Sequence, residues 1–288
     1  MLFNMLSDLQ RYLGPMSTFF RPDLSAPNIL IPTSLKSCPL PPALSCPLDP
    51  SISSCCTPSG GLFLQTQFWD PYPHAKGPDN SWTIHGLWPD NCDGSWSMYC
   101  DKPREYNNIS AILEAYDGGA AHIVGAELKG RCSHEGSGKA LLGDMQEYWK
   151  AGYGSDEHLW EHEWGKHGTC ISTLNPPCYG DGYKGQEEVV TYFNTTVKLY
   201  ETLPTYVWLA EAGITPSFTA TYALKDVVGA LQRKHDGLPI VRCGQKAELR
   251  EVWYYFLLNG TVQHGSWVPT DPGMFLQSYG LVCLFARK

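Results

Sequence analysis

The chain has 288 residues, enough for one large domain or two small ones. Its formal charge of −8 at pH 7 excludes a general basic footprint for duplex nucleic acid, although nine histidines would move that balance towards neutral or positive in acid. No stretch is apolar for long enough to span a membrane as a helix. Residues 1–37 carry proline, serine and scattered apolar residues without a steady period, and Asn4, Ser7 and Asp8 interrupt what could have been the apolar run of a signal peptide. They read as a leader or poorly ordered segment ahead of a domain covering 38–288. Cys38, Cys46, Cys55 and Cys56 then punctuate a Pro- and Ser-rich stretch that has no core of its own and must be stapled to the main body. Eleven cysteines favour an oxidising compartment, and the odd count leaves at least one unpaired. Sequons at Asn108, Asn194 and Asn259 fit passage through the secretory pathway.

Gly61–Asp70 alternates as a strand, with Leu64, Thr66 and Phe68 on one face and Gln65 and Gln67 on the other, and Pro71 and Pro73 end it. Ser81–Asp90 reads as a second strand, with Trp82 and Ile84 facing one way and Thr83 and His85 the other. From Asn91 to Gly138 the chain is loop-rich around a helical patch at Ile109–Tyr116, and Gly143–Lys150 reads as a short helix. Ser155 then caps a helix whose first turn holds Asp156 and Glu157, and Gly168 suits its C-terminal stop. Gln186–Trp208 is the longest helical pattern, with apolar residues at i, i+3 and i+4. Thr221–Gln232 predicts another helix. Glu251–Val268 predicts a hairpin turning at Asn259-Gly260.

Chemistry concentrates on the Ser155 helix. At about 100° per residue, His162, Glu163, Lys166 and His167 fall on one arc beside a stripe made by Trp160 and Trp164. One face can anchor the helix, and the next presents two imidazoles, a carboxylate and an ammonium. His85 sits on a strand, and Gly86 beside it permits a close backbone approach. Two histidines across a cleft can serve as general base and general acid in one reaction, while Lys166 and His162 hold an anion. No serine or cysteine nucleophile stands out in a recognisable setting. The substrate can therefore supply its own nucleophile, as the 2′-hydroxyl of RNA does.

Two segments, TIHGLWPD at Thr83–Asp90 and WEHEWGKHGTC at Trp160–Cys170, resemble the ribonuclease T2 family, and most of all the fungal acid ribonucleases. LQTQFWD, LYETLPTYVWLAEAGITPS and EVWYYF…VPTDP extend the likeness from about Cys38 to the C-terminus. The resemblance implies an α+β fold, a curved antiparallel sheet with packed helices, stapled by disulfides. It implies an RNA endonuclease that cuts single strands by metal-independent transesterification, giving a 2′,3′-cyclic phosphate and then a 3′-phosphate. Low base specificity, an acidic optimum, no cofactor and no obligate protein partner come with it. A secreted or vacuolar glycoprotein, acting as a monomer away from membranes, is the expected setting. By motif position His85, Glu163 and His167 match the family's catalytic residues. His167 would activate the 2′-hydroxyl and His85 would protonate the leaving oxygen. Glu163 and Lys166 would stabilise the phosphorane-like state, and His162 would bind the phosphate. Trp88 and Asp90 match base-site positions, and Trp96 stands where the fungal enzymes usually have tyrosine. The implied bridges are Cys38–Cys56, Cys46–Cys92, Cys55–Cys178, Cys100–Cys170 and Cys243–Cys283, which leave Cys132 as a buried free thiol.

Two rivals compete. His158-Leu-Trp-Glu161-His162 spells an inverted zinc-peptidase pattern, H-x-x-E-H, but that reading leaves TIHGLWPD, Lys166 and His167 unexplained. A catalytically dead member of the fold would serve as a binding or storage protein, yet all three catalytic positions are filled.

Overall fold

The computed structural model describes residues 38–70, 76–116, 137–272 and 282–285. The leader expected at 1–37 and the leftover Cys132 lie outside these described residues. The elements follow in the order β1 (Leu62–Phe68), β2 (Thr83–Asp90), α1 (Ile109–Ala115), α2 (Gly138–Tyr148), α3 (Asp156–Lys166), α4 (Glu187–Glu201), α5 (Thr205–Glu211), β3 (Thr221–Ala223), α6 (Leu224–His235), β4 (Ile240–Cys243), β5 (Leu249–Asn259), β6 (Ser266–Thr270) and β7 (Val282–Leu284). The main sheet is antiparallel and runs β2-β1-β5-β4, with β6 pairing the second half of β5; β3 and β7 form a two-stranded ribbon. The fold is α+β. None of the described helices is long and apolar enough to cross a membrane.

Alternation sets the two faces of the sheet. On β5, Val252, Tyr254, Phe256 and Leu258 enter the main core with residues from all six helices. Trp253, Tyr255 and Leu257 point the other way, where they meet Leu62, Leu64, Trp88 and Ile240. That thinner second cluster floors the cleft. On β1 the polar side chains Gln65 and Gln67 are buried, and Gln67 Nε2 donates to Gln65 Oε1 at 3.1 Å and to Leu203 O at 3.2 Å. Burial of an amide is tolerable only with such partners.

β2 is an edge strand, so its outward carbonyls need donors from elsewhere. The helix side supplies them. Tyr200 Oη donates to Trp82 O at 2.6 Å, Trp149 Nε1 to His85 O at 2.8 Å, and Tyr192 Oη to Leu87 O at 3.1 Å. Trp160 Nε1 of α3 in turn donates to Trp149 O at 3.0 Å. A relay of buried indoles thus ties α3 to the backbone of His85.

Four boundaries depart from the pattern. α2 starts at Gly138, five residues before the expected Gly143, because Ser137 caps it by accepting from Ala140 N at 3.2 Å. The expected helix Gln186–Trp208 is two helices, since Pro204 has no N–H to donate and its ring crowds the preceding turn. Thr221–Ala223 is strand rather than helix, held by its pairing with β7. The hairpin forms, but Asn259 pairs with Ser266, so Gly260–Gly265 is the connection and Asn259-Gly260 is not a two-residue turn. Val262 is buried there, and Gln263 donates its amide to Thr173 O. Packing of this longer loop overrides the local turn preference.

The structure holds Cys38–Cys56, Cys46–Cys92, Cys55–Cys178, Cys100–Cys170 and Cys243–Cys283. These are the pairs that the resemblance implies. Cys46–Cys92 and Cys55–Cys178 fasten the Pro-rich segment 38–60 to the main body and Cys38–Cys56 closes a loop within it; the segment has no strand or helix of its own.

Candidate active site

α3 is built from its ends inward. Ser155 Oγ accepts from His158 N at 3.2 Å, and Asp156 and Glu157 sit at the positive end of the dipole. Trp160 and Trp164 are buried, and Trp164 Nε1 donates to Arg104 O at 2.5 Å. The expected stop at Gly168 takes a different form. His167 stays in the right-handed region, and the chain tightens into a 3-10 turn at Gly168–Cys170. Glycine is needed at 168 for space: a Cβ there would lie 2.4 Å from the Trp164 ring. Cys170, bridged to Cys100, then pins this turn to the loop after β2.

β2 carries a bulge. Thr66 pairs with Gly86 but Gln67 pairs with Ile84, so His85 is the extra residue. Strict alternation would send His85 and Leu87 to one face and Ile84 and Trp88 to the other. The bulge breaks that phase: Ile84 and Leu87 both enter the core, while His85 and Trp88 both turn to the cleft with ring centroids 4.8 Å apart.

The candidate groups meet there. Glu163 is fully buried; its Oε2 accepts from Trp88 Nε1 at 2.8 Å, and its Oε1 lies 3.5 Å from His85 Nε2. Burial pushes the Glu163 carboxyl up, against the opposing pull of His85 and the Trp88 N–H. His85 Nδ1 donates to Glu251 Oε1 at 2.7 Å, and Phe68 stacks on the imidazole at 3.9 Å. His167 stacks on Trp88 at 5.0 Å and 16°. Its Nε2 is buried without a hydrogen-bond partner. Burial, reinforced by Lys166, His85 and His162, takes His167 down to about 2, so it is neutral across the ordinary pH range. His162 is also lowered, by burial first and by Lys166 second. Its Nδ1 lies 3.5 Å from Tyr99 Oη. The result is the imidazoles of His85 and His167 close to one buried carboxyl, with the Lys166 ammonium near enough to act on both Glu163 and His167.

The base-site candidates differ among themselves. Trp88 has one ring face against His167, meets Trp253 in an edge-to-face contact and stays half-buried. Trp96 is 61% exposed and its backbone bridges Asp90. Burial raises Asp90 to about 7. Of the sequons, Asn108 is exposed, whereas Asn194 lies half-buried in α4 and Asn259 half-buried at the end of β5. For a metal, His162, Glu163 and His167 can bring one donor atom each within 4.8 Å of one another. The inverted peptidase pattern is not that set, for the His158 side chain is 84% exposed and lies 3.9 Å from Glu161.

Sequence reasoning missed Glu251, Phe68, Trp253 and Tyr99. Their signals are tertiary, except that Tyr99 adopts a left-handed φ of 54° while its N–H donates to Lys166 O at 3.1 Å.

The model of the ribonuclease T2 family matches residues 60–264. A "ribonuclease T2-like" protein of Aspergillus fumigatus is 46% identical over 270 residues, which is 93% of this chain and 59% of that protein. Ribonuclease Trv of Hypocrea rufa is 48% identical over 219 residues, 76% of this chain and 84% of its own. The crystal structure of Actibind, a T2 ribonuclease, superposes with a TM-score of 0.72 at 42% identity, covering 87% of this chain and 98% of that one. On that match of family model, relatives and fold, the chain belongs to the ribonuclease T2 family.

Proposed function

We propose that this RNA endonuclease cleaves single-stranded RNA by metal-independent transesterification, then hydrolyses the 2′,3′-cyclic phosphate to a 3′-phosphate, with low base specificity and best in acid. The observation that carries this reading is the pair His85 and His167 flanking Glu163, one ring bonded to a carboxylate and the other neutral and unpartnered. His167 Nε2 takes the 2′-hydroxyl proton, the 2′-oxygen attacks phosphorus, and the bond to the 5′-oxygen breaks. His85 Nε2–H protonates that leaving oxygen. Glu163, pushed up by burial and holding the Trp88 N–H on Oε2, presents Oε1 to the reacting phosphate and helps to stabilise the phosphorane-like state as charge builds there. Lys166 adds positive charge, and His162 binds the phosphate when protonated. Roles of the two histidines reverse in the hydrolysis.

The pH preference follows in sign. The base His167 stays free of protons down to about 2. His162 is lowered by burial and by Lys166, so the cationic form that binds phosphate needs acid. Activity therefore declines from mild acid towards alkaline pH.

The test is a short single-stranded RNA incubated in mild acid with excess chelator, its products identified by mass. Cyclic-phosphate ends formed despite chelator are expected. Cleavage abolished by chelator and restored by zinc would overturn the reading in favour of the His162, Glu163 and His167 cluster as a metal centre, and no cleavage by folded, disulfide-bonded protein would favour an inactive binding protein. Five disulfides and the exposed Asn108 support a glycosylated protein in a secreted or vacuolar setting, and action as a monomer is part of the same proposal.

Base reading should itself depend on pH. Below about 7, Asp90 is protonated and offers one donor and one acceptor. That suits an adenine edge, which presents an acceptor nitrogen beside an amino group. Above it, only acceptors remain. The kcat/KM ratio of adenine to guanine dinucleotides is expected to fall about 3- to 10-fold as pH rises through about 7, the worth of one hydrogen bond. Asp90→Asn should hold that ratio constant; an equal slope in both proteins would place base reading elsewhere.

A further inference from the structure

Glu251 sits 166 residues from His85 in sequence, and its carboxylate makes the shortest polar contact that His85 has. β-Sheet register sets it there. Glu251 pairs with Phe68 on one side and Arg242 on the other, and the Phe68 ring stacks on the imidazole. Its second oxygen faces Arg242 Nη1 at 3.8 Å, and the Arg242 guanidinium lies over the Trp253 ring at 5.0 Å. The carboxylate is thus fixed from both ends.

A carboxylate only accepts, so the proton of this contact belongs to His85 Nδ1. Nε2 is then the one nitrogen left for chemistry, and it faces Glu163 at 3.5 Å. We propose that Glu251 is a positioning residue that holds His85 in the Nδ1–H tautomer, so that Nε2 both gives a proton in transesterification and takes one from water in the hydrolysis of the cyclic phosphate. This rests on the reading of His85 as the proton donor. After Nε2 has given its proton, the remaining one must stay on Nδ1. Free imidazole prefers the opposite tautomer, with the proton on Nε2. Without Glu251 the neutral ring would often present N–H where the second step needs a lone pair. The second step therefore depends on Glu251 more than the first.

Glu251→Ala and Glu251→Gln, made in the full chain, test this. In Glu251→Ala the first step is expected to slow about 10-fold and the second about 100-fold, within what a positioned acid or base contributes. The cyclic phosphate then accumulates, with KM little changed. Glu251→Gln can turn its amide oxygen to Nδ1–H and should recover most of both steps, which guards against a folding artefact in the alanine protein. Long-range 1H–15N correlation of the His85 ring reads the tautomer directly, with the signal assigned by its loss in His85→Ala. The Nδ1–H form is expected to dominate in the parent protein and to give way in Glu251→Ala. Equal loss of both steps with an unchanged tautomer overturns the positioning role and leaves the proposed reaction standing. Full activity of His85→Ala overturns the proposed reaction, and the positioning role with it.

Discussion

His167→Ala is expected to lower kcat on a single-stranded dinucleotide by about 10²- to 10⁴-fold, the range for a positioned general base. His167 makes no side-chain hydrogen bond from its buried Nε2, so its removal strands no partner. What the structure does lose is the ring stacked on Trp88 at 5.0 Å. His167→Phe separates the two effects, for it keeps an aromatic ring against the indole and has no basic nitrogen. Both variants should lose the same activity, and only the alanine protein should lose stability. A phenylalanine variant with near-normal kcat would remove His167 from the chemistry. The pH profile gives a second reading. With His167 held down at about 2, the parent enzyme should show no fall in kcat on the acid side until well below pH 4, short of unfolding. His85→Ala should cost a comparable factor. The double variant should fall short of the product of the two losses, because the residues act as a unit.

What could be read from the sequence was what is local. The α3 motif carries its cap, its charged first turn and its tryptophan stripe within Ser155–His167, so helix, anchor face and reactive face all follow from a 3.6-residue period. His85 and Trp88 were legible as residues but not as neighbours. Only the pairing with β1 creates the bulge that turns both to one face. Glu251 had no local signal, since nothing in EVWYYF says which strand lies beside it. Pro204 was legible and was outweighed by the apolar period on either side of it. Asn259-Gly260 carried a true turn preference that Val262, buried in the core, overrode. The disulfide pairs came from resemblance, because spacing alone leaves many connectivities open.

Gly86→Ala is expected to lower kcat about 10²- to 10³-fold, the cost of losing one preorganised group that stabilises developing charge. The added methyl has a definite address. A Cβ at residue 86 would lie 1.9 Å from Glu163 Oε2 and 2.9 Å from Trp88 Nε1, inside the hydrogen bond that joins them. Gly86 does not have a positive φ, so alanine meets no backbone strain and the clash is its whole effect. The Glu163 carboxyl must swing away from its fully buried position and give up the bond to Trp88. Overpacking of this kind costs about 1–3 kcal/mol, so the denaturant midpoint should drop as well. Gly143→Ala is the matched control. It lies in α2 with open space where its Cβ would go, and alanine there should add about 0.5–1 kcal/mol of stability with kcat unchanged. KM distinguishes the outcomes for Gly86. Loss confined to kcat would fit a Glu163 contact made chiefly in the transition state, whereas a rise in KM alone would mean that the carboxyl only helps to hold the phosphate. Full activity in a folded Gly86→Ala protein would show that the Trp88–Glu163 bond does not position the carboxyl for the reaction.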